Sequence, residues 1–301
     1  MSAFAFLGTL EIGFIYGLVA IGVYLTFRIL DFPDLTVDGS FTLGAAVTAT
    51  LIVAGQNVYL ATLLGTLAAA CAGLVTAWLN LRFNILHLLA SILTMTALYT
   101  INLRVMGKPN VALITEPTVL TPFEGLGLPD MYMKVIFVAI CAIIGGLLVA
   151  WFLYTQYGLA MRAVGSNKRM AQANGIVVTE KVYVGLALSN GLVGLAGALF
   201  AQTNGFADST MGIGTIVVGL AAVIIGESLF SSRSMLVIVM SCIVGSILYR
   251  LAVSMALNAD FLGFQASDLN LITAVLVALA LVFPKIRNEW KAKRAVRENS
   301  Q

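Results

Sequence analysis

The 301-residue chain has little of what a soluble enzyme works with: 10% of its residues are charged, against about a quarter in an average soluble domain. It carries one histidine, three cysteines and six prolines. Cys71, Cys141 and Cys242 stand singly inside apolar runs, which excludes a metal-type spacing or a disulfide framework and predicts small core residues. His87, in RFNILHLLASILTM, is expected to be a packing residue, not a ligand or base. No G-x-x-x-x-G-K-[ST] loop is present, so ATP hydrolysis by that route is excluded. GLGLPD, residues 125–130, has the wrong spacing for the G-x-G-D of intramembrane aspartyl proteases, and it lies in a polar loop. The N-terminal MSAFAFLGTLEIGF lacks a basic n-region and a small-residue cleavage site, and reads as a retained segment. Neither a cofactor of its own nor a nucleic-acid partner is expected.

What is there is oil. Sixty per cent of residues are hydrophobic and the mean hydropathy is +0.98, which predicts an all-α polytopic membrane protein, a single transmembrane domain over 1–301 in contact with a lipid bilayer. Runs long enough to span lie near 9–29, 38–55, 58–80, 85–106, 133–155, 180–203, 212–230, 234–256 and 269–284, about nine in all. With the 157–181 loop inside, that side holds Arg28, Arg82, Arg162, Lys168, Arg169, Lys181, Arg233 and the six basic residues of the 285–301 tail; Arg104, Lys108, Lys134 and Arg250 remain outside. Thirteen against four predicts an outer N-terminus and a cytoplasmic C-terminus. The segment 107–132, with four prolines and two glutamates, is then an ordered extracytoplasmic loop.

Two stretches look like broken or re-entrant helices. FPDLTVDGSFTLGAAV and FADSTMGIGTIVVGLAAV share F-x-D-x-T followed by a Gly- and Ala-rich run, and the charge count sets them in opposite directions, a short match to an inverted repeat. Asp34, Thr36, Asp38, Asp208 and Thr210 are therefore candidates for lining or gating a path. Asp31, Asp34 and Asp38 lie close to Arg28, where solvated or gate-lining acids are expected ahead of direct contact with a solute, and Glu227 is read the same way. The glycines of SNGLVGLAGAL at 191, 194 and 197 are read as helix packing.

The loop YGLAMRAVGSNKRMAQANGI, residues 157–176, keeps three basic side chains among small residues between two apolar runs. By composition alone it is equally a positive-inside tether or a docking element. Here the chain resembles, over nearly its whole length, a permease subunit of the bacterial ABC importers of the branched-chain amino acid and ribose type. GLVAIGVYLTFRILDFPDLTVDGSFTLGAA is similar to the family's N-terminal signature; sugar permeases carry D-L-S-V-G where this chain has Asp34-Leu35-Thr36-Val37-Asp38-Gly39. The loop resembles the family's R-A-x-G-x-N…A…G-I motif through Arg162, Ala163, Gly165, Asn167, Ala171, Gly175 and Ile176. D-L-T-V-D-G with ILTMTALYTINLRVMGKPN looks most like a branch associated with uptake of tryptophan-like amino acids. Sugar permeases of the family usually begin with one additional helix, whose absence fits an odd span count.

The resemblance implies a coupling helix at Arg162, Ala163, Gly165, Asn167, Arg169, Ala171 and Gly175, docked in a groove of an ATP-binding subunit. It implies two permease subunits forming a pore, as a homodimer, with two ATP-binding subunits and a periplasmic binding protein that holds most of the specificity. The chain would not itself be an enzyme, ATP being bound by its partner, and the assembly would sit in the bacterial inner membrane. A sugar or nucleoside cargo, or an ATP-independent secondary carrier, remains open; the carrier reading calls for ion-coupling acids deep within spans, whereas most acids here fall at span ends.

Overall fold

The computed structural model describes residues 3–126, 129–230, 232, 234–257, 275 and 278. α1 (Ala3–Tyr24) runs into a π-helical turn, Leu25–Ile29. After the segment 30–35 come α2 (Thr36–Val53), α3 (Val58–Phe83) and α4 (His87–Met106). β1 (Asn110–Ala112) and a 3-10 turn, Thr121–Leu126, lead to α5 (Asp130–Tyr154). Two short helices, α6 (Gln156–Ser166) and α7 (Lys168–Ala173), precede α8 (Val178–Asn204). β2 (Phe206–Asp208), α9 (Thr215–Leu229) and α10 (Met235–Leu257) follow.

Among the described residues seven helices are long and apolar enough to cross a membrane: α1 with its π turn, α2, α3, α4, α5, α8 and α10. The expected count of nine is corrected for two reasons. α9, expected over 212–230, has only 15 residues, about 22 Å at 1.5 Å per residue, short of a hydrocarbon core of about 30 Å. Of the span expected at 269–284 only residues 275 and 278 are described, both helical, while Arg233 and the tail 285–301 lie outside the described residues.

The helices alternate between two ends. Thr9 Oγ1 donates to Ser254 Oγ (3.1 Å), setting the start of α1 beside the end of α10, and Tyr24 Oη donates to Met235 Sδ (3.8 Å) at the opposite end. One end is capped by an antiparallel pair of strands in the register Asn110↔Asp208, Val111↔Ala207 and Ala112↔Phe206. The other end carries α6, α7 and the turn from α3 into α4, tied by Lys168 Nζ to His87 Nε2 (3.4 Å).

α8 is central, packed on α1, α2 and α3. Its glycines are what lets α2 and α3 come close: a Cβ at Gly197 would land on the Phe41 backbone, and one at Gly194 on the Ala69 side chain. Gly191 differs, with Ala70 Cβ at an ordinary 3.5 Å. Of the cysteines only Cys242 is buried; Cys71 is on an exposed flank and Cys141 is half-buried, so the expected core role holds for one.

Candidate translocation path and coupling surface

Two helices of this bundle begin in its interior. α2 starts at Thr36, whose Oγ1 lies 2.7 Å from Thr76 Oγ1, about 10 Å inside the end of α3 at 1.5 Å per residue. α9 starts against the first turn of α2: the two oxygens of Asp38 accept the N–H groups of Gly214 (3.0 Å) and Ile216 (2.8 Å). A carboxylate there satisfies amides a helix N-terminus leaves free and complements its dipole. Segment 209–214 therefore enters from the strand end and 30–35 from the loop end, and the two helix starts meet inside. This is the inverted, interrupted arrangement that the F-x-D-x-T match suggested.

The two junctions make the same local turn, a carboxylate accepting the N–H two residues on: Thr36 N to Asp34 Oδ1 (2.9 Å) and Thr210 N to Asp208 Oδ1 (2.8 Å). Their surroundings differ. Asp34 is fully buried, its second oxygen accepting from Asn190 Nδ2 (2.7 Å), while Ser40 Oγ donates to Asn190 Oδ1 (2.7 Å). Asp34 is thus not solvated within the chain; it holds α2 to α8 from inside. Asp208 sits on the strand pair, where the Thr210 hydroxyl (2.6 Å), then its backbone N–H, hold the carboxyl below the usual carboxylate value. Asp38 is half-buried and Asp31 exposed, the latter left-handed (φ 51°) where the chain turns inward from the π turn.

Sequence reasoning missed three further polar residues. Asn190 bridges Asp34 and Ser40; nothing marks an asparagine in a spanning run as a bridge until its partners are known. Glu11 is 8% exposed within α1, an acid inside a span and not at its end. Arg250, counted above as an outer loop charge, stands over the Tyr16 ring at 4.0 Å between α10 and α1 and is corrected to a bundle charge. Glu227, at the end of α9, pairs with Arg28 of the π turn.

A cavity of about 420 Å³ adjoins the meeting point of α2 and α9, lined by Asp38, Thr42, Met95, Tyr99, Asn102 and Ser209 among others. It opens on the flank of the bundle, where Tyr99 is 49% exposed. Among the described residues no group of three or more His, Cys, Asp or Glu could hold a metal ion.

At the loop end, 157–176 forms two helices broken at Asn167, whose Oδ1 accepts the Met170 N–H (3.0 Å) and caps α7. α6 turns Met161 and Val164 inward, and a Cβ at Gly165 would strike the Ile29 carbonyl, so the helix rests on the π turn. Tyr157 is held under Lys181 Nζ, 3.4 Å from the ring centroid. Of the expected coupling residues, Asn167, Arg169 and Gly175 are exposed, and Arg162, Ala163 and Gly165 half-buried. Ala171 is fully buried within the chain's own fold, with no face left for a partner. The outward surface of α7 is instead Arg169, Met170, Gln172 and Ala173, with Met170 51% exposed. His87 stacks on Phe32 with ring centroids 4.3 Å apart, the packing role expected of it, and also meets Lys168 of α7.

Interrupted helices meeting inside an apolar bundle, with a small amphipathic element held across one end, define a polytopic membrane permease. The chain belongs to the family described as branched-chain amino acid transport system / permease component, whose model matches residues 5–284. It is 41% identical over 281 residues to the tyrosine transport system permease protein of Clostridioides difficile (strain R20291), covering 93% of this chain and 92% of that one. It is 27% identical over 278 residues to the ribose import permease protein RbsC of Haemophilus influenzae, covering 87% and 79%. The fold is similar to that of a chain in the structure of PsaBC from Streptococcus pneumoniae in complex with Fab, with a TM-score of 0.52, 14% identity and coverage of 92% and 89%.

Proposed function

We propose that the chain is the membrane-spanning permease subunit of an ATP-driven ABC importer that carries a small amino acid, aromatic in side chain, across the bacterial inner membrane. The observation that carries this is the 41% identity to a tyrosine transport permease along both chains' length; ribose permeases are more distant at 27%. A sugar or nucleoside cargo is the second reading, favoured by that ribose relative and by a guanosine ABC transporter permease of Bacillus subtilis, 30% identical over 131 residues.

In this reading two copies form the pore, ATP is bound and hydrolysed by two partner subunits, and a periplasmic binding protein delivers the solute. α6 and α7 receive the push of the ATP-binding subunits through Asn167, Arg169, Gly175 and the exposed Met170, with Arg162, Ala163 and Gly165 forming the base. The base leads inward along two lines. Gly165 presses on Ile29, from which 30–35 runs to Asp34 and the start of α2; Arg28 holds Glu227 at the end of α9. Both interrupted helices are thus tied to the surface that ATP would move, and their meeting point at Asp38 is where a gate would open, Thr36 and the outer pair Asp208 and Thr210 holding its two junctions. The chain then catalyses nothing itself. In this reading the N-terminus and the strand pair face outward, an orientation that the charge bias supports.

The test is uptake by the reconstituted assembly of permease, ATP-binding subunits and binding protein in liposomes. Labelled tyrosine or tryptophan should accumulate only with ATP on the coupling face, and ribose and guanosine should not. Accumulation without ATP, or of ribose alone, would reject the reading.

A further inference from the structure

The cavity where α2 and α9 meet has a chemistry of its own. Among the described residues that line it there is no Lys or Arg, and its one ionisable acid is Asp38. The amides at the start of α9 that could have received an anion are already taken by that carboxylate, Gly214 N at 3.0 Å and Ile216 N at 2.8 Å. Asn102 adds a second acceptor. It is 1% exposed, its Nδ2 donates to Gly39 O (3.3 Å), which fixes the amide's orientation, and its Oδ1 has no partner. A buried acceptor without a donor is costly, and a bound donor removes the cost. Beside these acceptors stand a methionine and a tyrosine ring, Met95 and Tyr99, the latter half-exposed at the mouth. Acceptors in one cavity with an aromatic ring and a thioether suit a protonated amine on an aromatic or apolar body, since rings stack on rings, sulfur favours ring edges, and cations favour carboxylates.

We propose that this cavity is a solute subsite of the permease, in which Asn102 Oδ1 and the Asp38 carboxylate accept hydrogen bonds from a primary ammonium group while Tyr99 and Met95 hold the attached side chain. It rests on the permease reading and sharpens its cargo: an amine-bearing, aromatic solute in place of a neutral sugar. Discrimination follows from charge. A ribose or nucleoside hydroxyl leaves the carboxylate without a counter-charge in a low-dielectric site, whereas an ammonium supplies one.

The experiment is ligand-observed saturation-transfer NMR on the purified full-length permease in nanodiscs, without binding protein, using empty nanodiscs as the reference. The probes are tyramine, tyrosine and 3-(4-hydroxyphenyl)propionate, which lacks the amine. Tyramine should bind, tyrosine more weakly because the lining offers its carboxylate no Lys, Arg or free amide, and the deaminated acid should not. Asn102→Ala should weaken tyramine by about tenfold, the size of one lost hydrogen bond to a charged group. Tyr99→Ala, at an exposed position the fold does not need, should weaken tyramine while leaving methylamine unaffected. Equal binding of the deaminated acid, or unchanged tyramine affinity in both variants, overturns the proposal, as does displacement of tyramine by sodium at a strength that potassium does not match, which would mark a metal-cation site. The cargo reading is decided separately by uptake. Tyrosine import without tyramine binding leaves that reading standing and removes the subsite; ribose import with Asn102-dependent tyramine binding does the reverse.

Discussion

Asp34 and Asn190 form a donor–acceptor pair whose direction can be tested by exchange. The carboxylate accepts from Thr36 N and from Asn190 Nδ2, and the Asn190 carbonyl accepts from Ser40. Asp34→Asn sets two amide groups against each other and leaves a buried donor unmet, which should cost about 1–3 kcal/mol of stability. Asn190→Asp alone sets two buried carboxylates side by side and should cost more. The double exchange again sets an amide N–H against a carboxylate, with the direction of the bond reversed, so its melting temperature in detergent should recover most of the loss. Failure to recover would mean that the charge at position 34, and not the pairing, is what matters. Asp208 offers a second test, by pH. Its folded carboxyl is held below the usual value by Thr210, so its contribution is present above the unfolded value of about 4 and is lost as pH falls through the lower folded one. Thr210→Val should move the loosening of the strand pair, read by hydrogen exchange at Val111 and Ala207, to higher pH.

At the scale of elements, what was legible and what was not divides by physical cause. Apolar runs and turn residues located eight of the expected segments, because lipid demands long apolar helices whatever their neighbours. The F-x-D-x-T junctions were legible as turns, since a carboxylate two residues before an N–H acts locally. That the first turn is buried and the second exposed depends on α8 and β1, far away in sequence, and could not be read. The same holds for Ala171: spacing marked it as one of the loop's small residues, yet its being turned inward follows from how α6 and α7 fold back on the chain. Ala171→Glu would place a charge inside the chain itself and is expected to unfold the loop end whether or not a partner docks there. Met170→Glu is the informative change, because Met170 is exposed here and becomes buried only if a partner covers it. The variant should keep the permease's own melting temperature within about 0.5 kcal/mol of equivalent stability and yet lose co-purifying ATP-binding subunit. Unchanged retention would place the docking surface elsewhere. Between α2 and α8, Gly197→Val should cost about 1–3 kcal/mol or more by pushing the Phe41 backbone away, whereas between α3 and α8 Gly191→Ala, with Ala70 Cβ at 3.5 Å, should be near neutral.

For the whole molecule the remaining question is which way it faces. The strand end and the loop end are built differently, and the basic residues divide between them. Arg28, Arg82, Arg162, Lys168, Arg169 and Lys181 gather at the ends of helices that meet α6 and α7, while Arg104, Lys108 and Lys134 stand near the strands; Arg250 leaves this count because it lies inside the bundle on Tyr16. Six against three among the described residues keeps the same sense of bias, and the placement of half-buried Arg250 against Tyr16 removes one charge from the outer count. Single cysteines at Asn110 and at Gln172, both exposed and at opposite ends, decide the matter once Cys71, Cys141 and Cys242 have been replaced by serine or alanine. In intact cells a membrane-impermeant maleimide should label the cysteine at 110 and leave that at 172 untouched until the membrane is opened. The inverted pattern would put α6 and α7 outside, beyond the reach of any ATP-binding subunit, and the coupling role of Met170 and Arg169 would fall with it. Labelling of both from outside would break the alternation of helices between two ends, and with it the meeting of α2 and α9 from opposite sides on which the gate at Asp38 depends.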